Sequence, residues 1–335
     1  MRADVNILGS RGSVVGQIVA SAQMACLLEA AAPKPGNVSP GRPFRDVTYE
    51  DFVASAVAIG EPFRLAAERP LGETIRAAID ATRQWTPVNT NLGIVLLLAP
   101  LVKAACLPAV AREGVAALRS AVTDVLASTS VRDARDVYAA IRAARPGGLG
   151  TVPTEDVQNE PTLDLQSVMR LAAHRDTIAR EYVTSFDLTF SVGAPTVARA
   201  VKAGLDWNDV VVETFLHLMA TTPDTHIARR AGEDAAAGVS RTARMVLDTG
   251  GVRTEAGRHA LDALDQALRD PLNTLNPGTT ADLTAAAIFV ALLGGTAVHR
   301  AGPTIVRRAC PTIVRRACPT IVRRAGPTDP PDEHA

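Results

Sequence analysis

The sequence predicts an all-α protein, a single large bundle of about ten to twelve helices. Three observations predict it. Alanine recurs along the whole chain, and it is the best helix former because ordering it costs no side-chain entropy. Hydrophobic residues make up 47% of the 335, yet aromatics only 4%. The core is therefore built from Ala, Val, Leu and Ile, and the length is ample for a sizeable one. Apolar residues recur at three- and four-residue intervals, with no βαβ punctuation between them.

The elements follow in order. Val15, Ile18, Val19, Ala22, Ala25, Cys26 and Ala30 mark a helix over 12–31. Pro33 and Pro35 end it, since proline disfavours helical backbone at the residue before it. A polar loop spans 34–46. Thr48 with Asp51 three residues later is a capping signal for a helix reaching about Ala67. Helices at 71–84 and 91–111 come next, the second very apolar and central, then 114–128 and 131–144. The breaker Pro146-Gly147-Gly148-Leu149-Gly150 opens a polar loop running to about Thr162. Further helices are expected at 165–185, 195–203, 207–220, 225–247, 254–269 and 280–299. Phe186 to Val192 alternates apolar and polar residues, a strand period. It has no second strand to pair with, so the all-α reading absorbs it.

The chain ends differently. PTIVRRA occurs identically at 303–309, 311–317 and 319–325. A short unit with an obligatory proline is not a stackable solenoid repeat. Residues 1–300 are expected to form the globular domain, and 301–335 a disordered tail, basic and then acidic.

Charge and cysteine usage exclude several function classes. Lys+Arg 35 balance Asp+Glu 35, so no overall field attracts nucleic acid or an anionic membrane. Cys26, Cys106, Cys310 and Cys318 form neither a CxxC pair nor a Cys/His cluster, which argues against structural zinc and a disulfide framework. The start MRADVNILGS carries Asp4 and no continuous apolar stretch, unlike a signal peptide. The run Ile94 to Val102, interrupted by Pro100, is too short to span a bilayer. A cytoplasmic protein with neither nucleic-acid nor membrane partners is the expectation; no sequence feature sets an oligomeric state. His174 and His259 read as residues of solvated helix faces.

Four loop segments place polar residues beside Gly and Pro at helix boundaries, where ligand contacts concentrate. In Pro33-Lys34-Pro35-Gly36-Asn37-Val38, Lys34 offers a point charge suited to phosphate and Gly36 permits close approach; read locally, it is also an ordinary helix stop. Asn89-Thr90-Asn91-Leu92-Gly93 opens the most apolar helix, where a cap or an anion site are equally good readings. His217-Leu218-Met219-Ala220 leads to Pro223-Asp224-Thr225-His226, with Arg229 one turn beyond. A carboxylate beside an arginine suits a Mg²⁺-triphosphate, but read locally the pattern favours an N-cap with a surface ion pair. Asn276-Pro277-Gly278-Thr279-Thr280-Ala281-Asp282-Leu283 precedes the last long helix, with Asp282 in its first turn. None is a Walker loop, a GxGxxG or a catalytic serine elbow.

Taken together and in this order, the four segments resemble the triphosphoribosyl-dephospho-CoA synthase family. Its members carry a PKPG segment, an NTHKG-like segment, an HLMA…DTN…R segment and an SPGGSADL-like segment. These match 33–36, 89–93, 217–229 and 276–283, and the resemblance spans about Gly16 to Leu293. There are departures. A family GAH-x-D stretch reads Arg42-Pro43-Phe44-Arg45-Asp46, so only Asp46 carries over. Asn91 and Leu92 stand where His and Lys would be. A family segment rich in Ala, Arg, Gly and Glu has no clear counterpart near 181–193. The chain reads as a divergent branch.

The resemblance implies an all-helical enzyme in which the 2′-hydroxyl of dephospho-CoA attacks C1′ of the ATP ribose and adenine leaves. Such a transition state resembles the oxocarbenium ion of glycoside cleavage. It needs a base for the hydroxyl proton, a donor toward adenine and cations around the triphosphate, with Mg²⁺ the expected metal. The resemblance assigns Lys34 and Arg229 to phosphate. It assigns Asp224 and Asp282 as metal ligands or general base, and Asn89 and Asn91 to ribose or base. Gly36, Asn37, Asp46, Thr90, Gly93, Thr225, Gly278 and Thr280 complete the expected nucleotide site. Two other readings stay open. One is a related nucleotide-dependent transferase of another cofactor pathway, such as pterin-linked one-carbon metabolism. The other is a non-catalytic helical nucleotide-binding protein.

Overall fold

Helices and their connections make up residues 11–296, the part of the chain that this computed structural model describes. Among the described residues there is no strand, only an isolated bridge between Ser39 and Arg42. The PTIVRRA copies, Cys310 and Cys318 lie outside the described residues.

Two helices are apolar on every side and so occupy the centre. They are α5 (Leu92–Ala105) and α16 (Gly278–Leu293), in both of which nearly every residue is buried. They pack on each other, α16 also on α1 (Arg11–Ala31) and α12 (Trp207–Thr221), and α5 also on α4 (Leu71–Thr82) and α7 (Leu118–Ala127). Around them run α2 (Tyr49–Ala58), α3 (Gly60–Arg64), α6 (Pro108–Glu113), α8 (Val131–Ala144), α9 (Leu165–Ala172), α10 (Thr177–Thr184), α11 (Ala194–Lys202), α13 (Thr225–Ala231), α14 (Glu233–Asp248) and α15 (Glu255–Leu268). Each buried Leu, Ile or Phe contributes about 1.5–3 kcal/mol, so the aliphatic seam through α5 and α16 dominates stability. By length and composition α1 could cross a membrane over Val14–Ala31. Its Ile18, Val19, Ala22, Ala25, Cys26 and Ala30 are buried within this helical core.

Pro100 sits inside α5 without breaking it. Proline has no N–H to give the carbonyl four residues back, which is that of Leu96. The buried Tyr182 hydroxyl donates to that carbonyl at 2.6 Å instead.

Four of the expected helices are each divided in two, so the helices are more numerous and shorter than expected. The 48–67 helix breaks at Ile59, and 91–111 breaks where Pro108 starts α6. The 165–185 helix stops after Ala172 and restarts when the Asp176 carboxylate caps α10, accepting from Ile178 and Ala179 N–H at 2.8 and 3.2 Å. The 225–247 helix breaks at Gly232, whose φ of 93° few other residues tolerate. The alternating stretch after Phe186 is a π-helical turn at Thr189–Gly193. Ser185 and Phe186 turn left-handed before it, and the Glu181 carboxylate accepts from Leu188 N–H, Thr189 N–H and the Thr189 hydroxyl. Phe186 is fully buried, so the apolar members of the alternation serve helix packing. At Thr48 the capping signal holds, with its N–H donating to Asp51 at 2.9 Å.

Candidate active site

One cavity of about 730 Å³ gathers most of the polar segments. That volume suits a sizeable small molecule. Its wall takes residues from the start of α5, from α10 and α13, and from the start of α16. Residues of the first turns of α5 and α16 line it, which brings the positive end of each helix dipole to its wall.

Asp282 is the central carboxylate. It sits in the first full turn of α16 and lines the cavity. No hydrogen bond or ion pair reaches its oxygens among the described residues. Its pKa is held well above the ordinary carboxylate range, first by burial, then by the charges of Glu29, Asp224 and Asp176, with Arg229 opposing. Gly93 explains the position: a Cβ there would stand 1.9 Å from Asp282 Oδ2. Only glycine at the start of α5 admits the carboxylate. Gly278 plays the same part for His226, since a Cβ there would meet Nδ1 at 2.4 Å.

Several cavity groups have no internal partner. Asn37 Nδ2, Arg229 Nε and Asn276 Oδ1 are buried with no hydrogen-bond partner, and all three residues line the cavity. Leaving such groups unsatisfied costs about 1–3 kcal/mol each, which a ligand can relieve. The backbone around Asn37 is clamped from α15. Asp265 accepts the Gly36 N–H at 2.8 Å and pairs with Arg42 and Arg269 at 3.0 Å, while Arg269 donates to the Asn37 carbonyl at 2.7 Å. Gly36 itself has φ 69° and lies too close to Leu268 for a side chain.

The remaining expected residues divide into two groups. Asp46, Asn89, Thr90, Asn91 and Arg229 line the cavity with Asn37, Gly93, Gly278 and Asp282. Asn89 caps α5 by accepting Leu92 N–H at 3.1 Å, Thr90 bonds Ser55, and Asn91 donates to Thr82 at 3.0 Å. Arg229 pairs with Asp176 at 2.9 Å.

Lys34, Gly36, Asp224, Thr225 and Thr280 correct the expectation, because they do not line the cavity; Gly36 packs against Leu268 and Pro277 instead. Lys34 is 1% exposed; its ammonium pairs with Glu29 at 3.0 Å and donates to the Glu29 and Ala32 carbonyls. No donor is left for phosphate. Asp224 is 2% exposed and all its acceptor capacity is engaged. Oδ1 caps α13 through His226 and Ile227 N–H at 2.8 and 3.1 Å; Oδ2 takes Thr280 N–H and hydroxyl, both at 2.7 Å. Burial raises its pKa, against those bonds. It ties α13 to α16 and offers no oxygen to a metal. Thr225 accepts from Thr177 N–H at 3.2 Å and bonds Thr279.

Sequence reasoning missed Glu29, Arg145, Arg175, Asp176, His226, Arg230 and Asn276, all lining the cavity. Asp176-Thr177 was a legible cap signal hidden inside an overlong helix. His226 is half-buried, and desolvation, then Arg229 and Arg230, pull its pKa down to about 4. It is therefore a neutral imidazole at physiological pH.

Among the described residues no group of three or more His, Cys, Asp or Glu is poised to hold a metal. One unpartnered carboxylate beside two helix N-termini fits a Mg²⁺ that would arrive with a nucleotide, since Mg²⁺ keeps waters and takes one or two carboxylates plus phosphate oxygens.

Comparison with known proteins gives the same direction. The family model described as ATP:dephospho-CoA triphosphoribosyl transferase matches residues 16–300. A protein of Pseudomonas syringae pv. tomato named "Probable 2-(5''-triphosphoribosyl)-3'-dephosphocoenzyme-A synthase" is 30% identical over 241 residues, 72% of each chain. One of the same name from Pseudomonas fluorescens is 32% identical over 249 residues, 72% of this chain and 73% of its own. A crystal structure of a triphosphoribosyl-dephospho-CoA synthase from Archaeoglobus fulgidus superposes with a TM-score of 0.56 at 27% identity, over 73% of this chain and 100% of that one.

Proposed function

Because the chain belongs to the ATP:dephospho-CoA triphosphoribosyl transferase family, we propose that it moves the triphosphoribosyl group of ATP to dephospho-CoA, with release of adenine, in this cavity. The observation that carries the site is Asp282, an unpartnered carboxylate with a raised pKa, seated against Gly93 where α5 and α16 begin. A raised pKa makes the ionised Asp282 carboxylate a stronger base than an ordinary one. Asp282 takes the proton of the 2′-hydroxyl as its oxygen bonds to C1′. The C1′–N9 bond breaks, and adenine takes up a proton as it leaves.

The other wall groups serve binding. Arg229 Nε and the Asn37 amide are unpartnered donors on the cavity wall, and the positive ends of the α5 and α16 dipoles lie beside them, which suits the triphosphate. Mg²⁺ bound with ATP would neutralise phosphate charge, and Asp282 is the residue to share it. His226, uncharged, supplies a hydrogen-bonding group beside Gly278 for the base or ribose.

The test is chromatography of ATP and Mg²⁺ incubated with folded protein, with and without dephospho-CoA. Adenine that appears only with dephospho-CoA supports the reading. No adenine from protein that binds both nucleotides sinks it.

A further inference from the structure

The cavity has a second half remote in character from Asp282. Ile141 and Ala144 at the end of α8, Leu149 of the glycine-rich loop, and Val168, Met169 and Leu171 of α9 line it with apolar surface. Two of these large side chains are held open, Leu149 39% and Leu171 46% exposed. A contiguous apolar wall left uncovered inside a cavity marks a surface that a ligand covers.

The same half carries two cations. The guanidinium groups of Arg145 and Arg175 line the cavity and make no hydrogen bond or ion pair among the described residues. Arg145 projects from the left-handed end of α8, φ 50°. The neighbouring acids do not neutralise them by contact, because both are engaged within their own loop. Asp156 accepts Val152 and Gln158 N–H at 2.8 Å, and Glu155 accepts Thr162 N–H at 3.1 Å. The loop is continuous with the polar half: a Cβ at Gly148, φ 76°, would lie 3.4 Å from the Arg229 carbonyl.

We propose that this half seats the acceptor, with the pantetheine arm of dephospho-CoA along the Leu149–Met169–Leu171 wall and its diphosphate on Arg145 and Arg175. The assignment rests on the transfer reaction proposed above and adds which substrate each half takes. An arm with a dimethyl centre and two amides matches an apolar wall rimmed by donors. A triphosphate matches the opposite end, where helix N-termini open.

The experiment is calorimetric titration of the full chain with 4′-phosphopantetheine, which has the arm and a phosphate but no ribose to react. It is done with saturating ATP and Mg²⁺ present. Wild type should bind it, and Leu149→Ser with Leu171→Ser should weaken that binding by about ten-fold, the scale of apolar pocket contacts. ATP affinity should not change. Both leucines are partly exposed, so the variant keeps its fold, checked by thermal melting. No binding to wild type, displacement by ATP, or equal binding by the variant overturns the proposal. Adenine release with dephospho-CoA, measured alongside, separates the two readings. A chain that releases no adenine but binds the arm in the leucine-dependent way loses the reaction and keeps the seat.

Discussion

Replacing Gly93 by alanine isolates the position of one carboxylate. On helix propensity alone, Gly93→Ala should stabilise α5, because alanine is better than glycine by about 1 kcal/mol in a helix. The new Cβ would stand 1.9 Å from Asp282 Oδ2 and 2.8 Å from Ile178 Cδ1. An ordinary contact begins near 3.4 Å, so Asp282 must move its oxygen by about 1.5 Å. Asp282 Cγ, at 2.5 Å, clashes as well, so the whole carboxyl group must swing; all three atoms belong to side chains, so the backbone can stay. The propensity gain then roughly offsets the residual strain, and Tm should stay within about 2 °C of wild type. Turnover should not survive as well: misplacing a reacting group by an ångström costs about 10²-fold. The assay is adenine release under saturating substrates, with calorimetric melting as the control. Gly16→Ala is the comparison, since its Cβ meets nothing within 4 Å in α1; it should raise Tm slightly and leave the rate alone. A Gly93→Ala enzyme that turns over at the wild-type rate refutes the placing of Asp282 at the chemistry.

Other outcomes follow from the same geometry. Folded Asp282 keeps its proton at pH values where the unfolded chain has released it, so the stability it removes grows as pH rises from the ordinary carboxylate range toward neutrality. Asp282→Asn should therefore melt close to wild type near pH 4 and above it at pH 7, while its turnover falls by about 10²–10⁴; a melting difference independent of pH contradicts this. Asp224→Ala removes the cap of α13 and the tie to Thr280, and should cost about 3–5 kcal/mol by urea titration. If it instead keeps full stability and loses only Mg²⁺-dependent ATP binding, Asp224 is a ligand after all. Lys34→Met strands the buried Glu29 without its partner and should lose about 3–5 kcal/mol of stability. Unchanged stability with lost ATP affinity would return Lys34 to the phosphate site.

The helical class and the central place of 91–111 were legible because periodicity and alanine content act locally. Helix interruptions were less so. The break at Ile59 had Gly60 and Pro62 beside it, but the one at Ala173 carries no Gly or Pro and depends on what the next segment packs against. Within the site, the residues singled out from the sequence that do line the cavity include ones that glycine or a helix end places there, such as Gly93, Gly278 and Asp282. Lys34 and Asp224 misled because a lone charge in a loop looks available. Their partners, Glu29 five residues before Lys34 and Thr280 fifty-six after Asp224, are set by the fold. Arg145 and Arg175 stayed hidden for the converse reason. Nothing in the sequence distinguishes an arginine facing a cavity from one on a solvated helix.

The departures from the family pattern can now be weighed residue by residue. Asn91 and Leu92 replace the family's His and Lys, which removes a titratable donor and a cation from the start of α5. Leu92 is 7% exposed and joins the core, while the Asn91 amide turns to Thr82, so neither position retains the lost chemistry. The third segment compensates in kind. Where the family pattern reads DTN, this chain reads Asp224-Thr225-His226, and the imidazole lines the same cavity over Gly278. Positive charge is likewise present elsewhere on the wall, at Arg145, Arg175, Arg229 and Arg230. Losing His and Lys from one segment therefore does not empty the cavity of donors or of cations, because other helices supply them. That supply favours a working transferase with an altered wall over a fold that has kept its shape and lost its reaction.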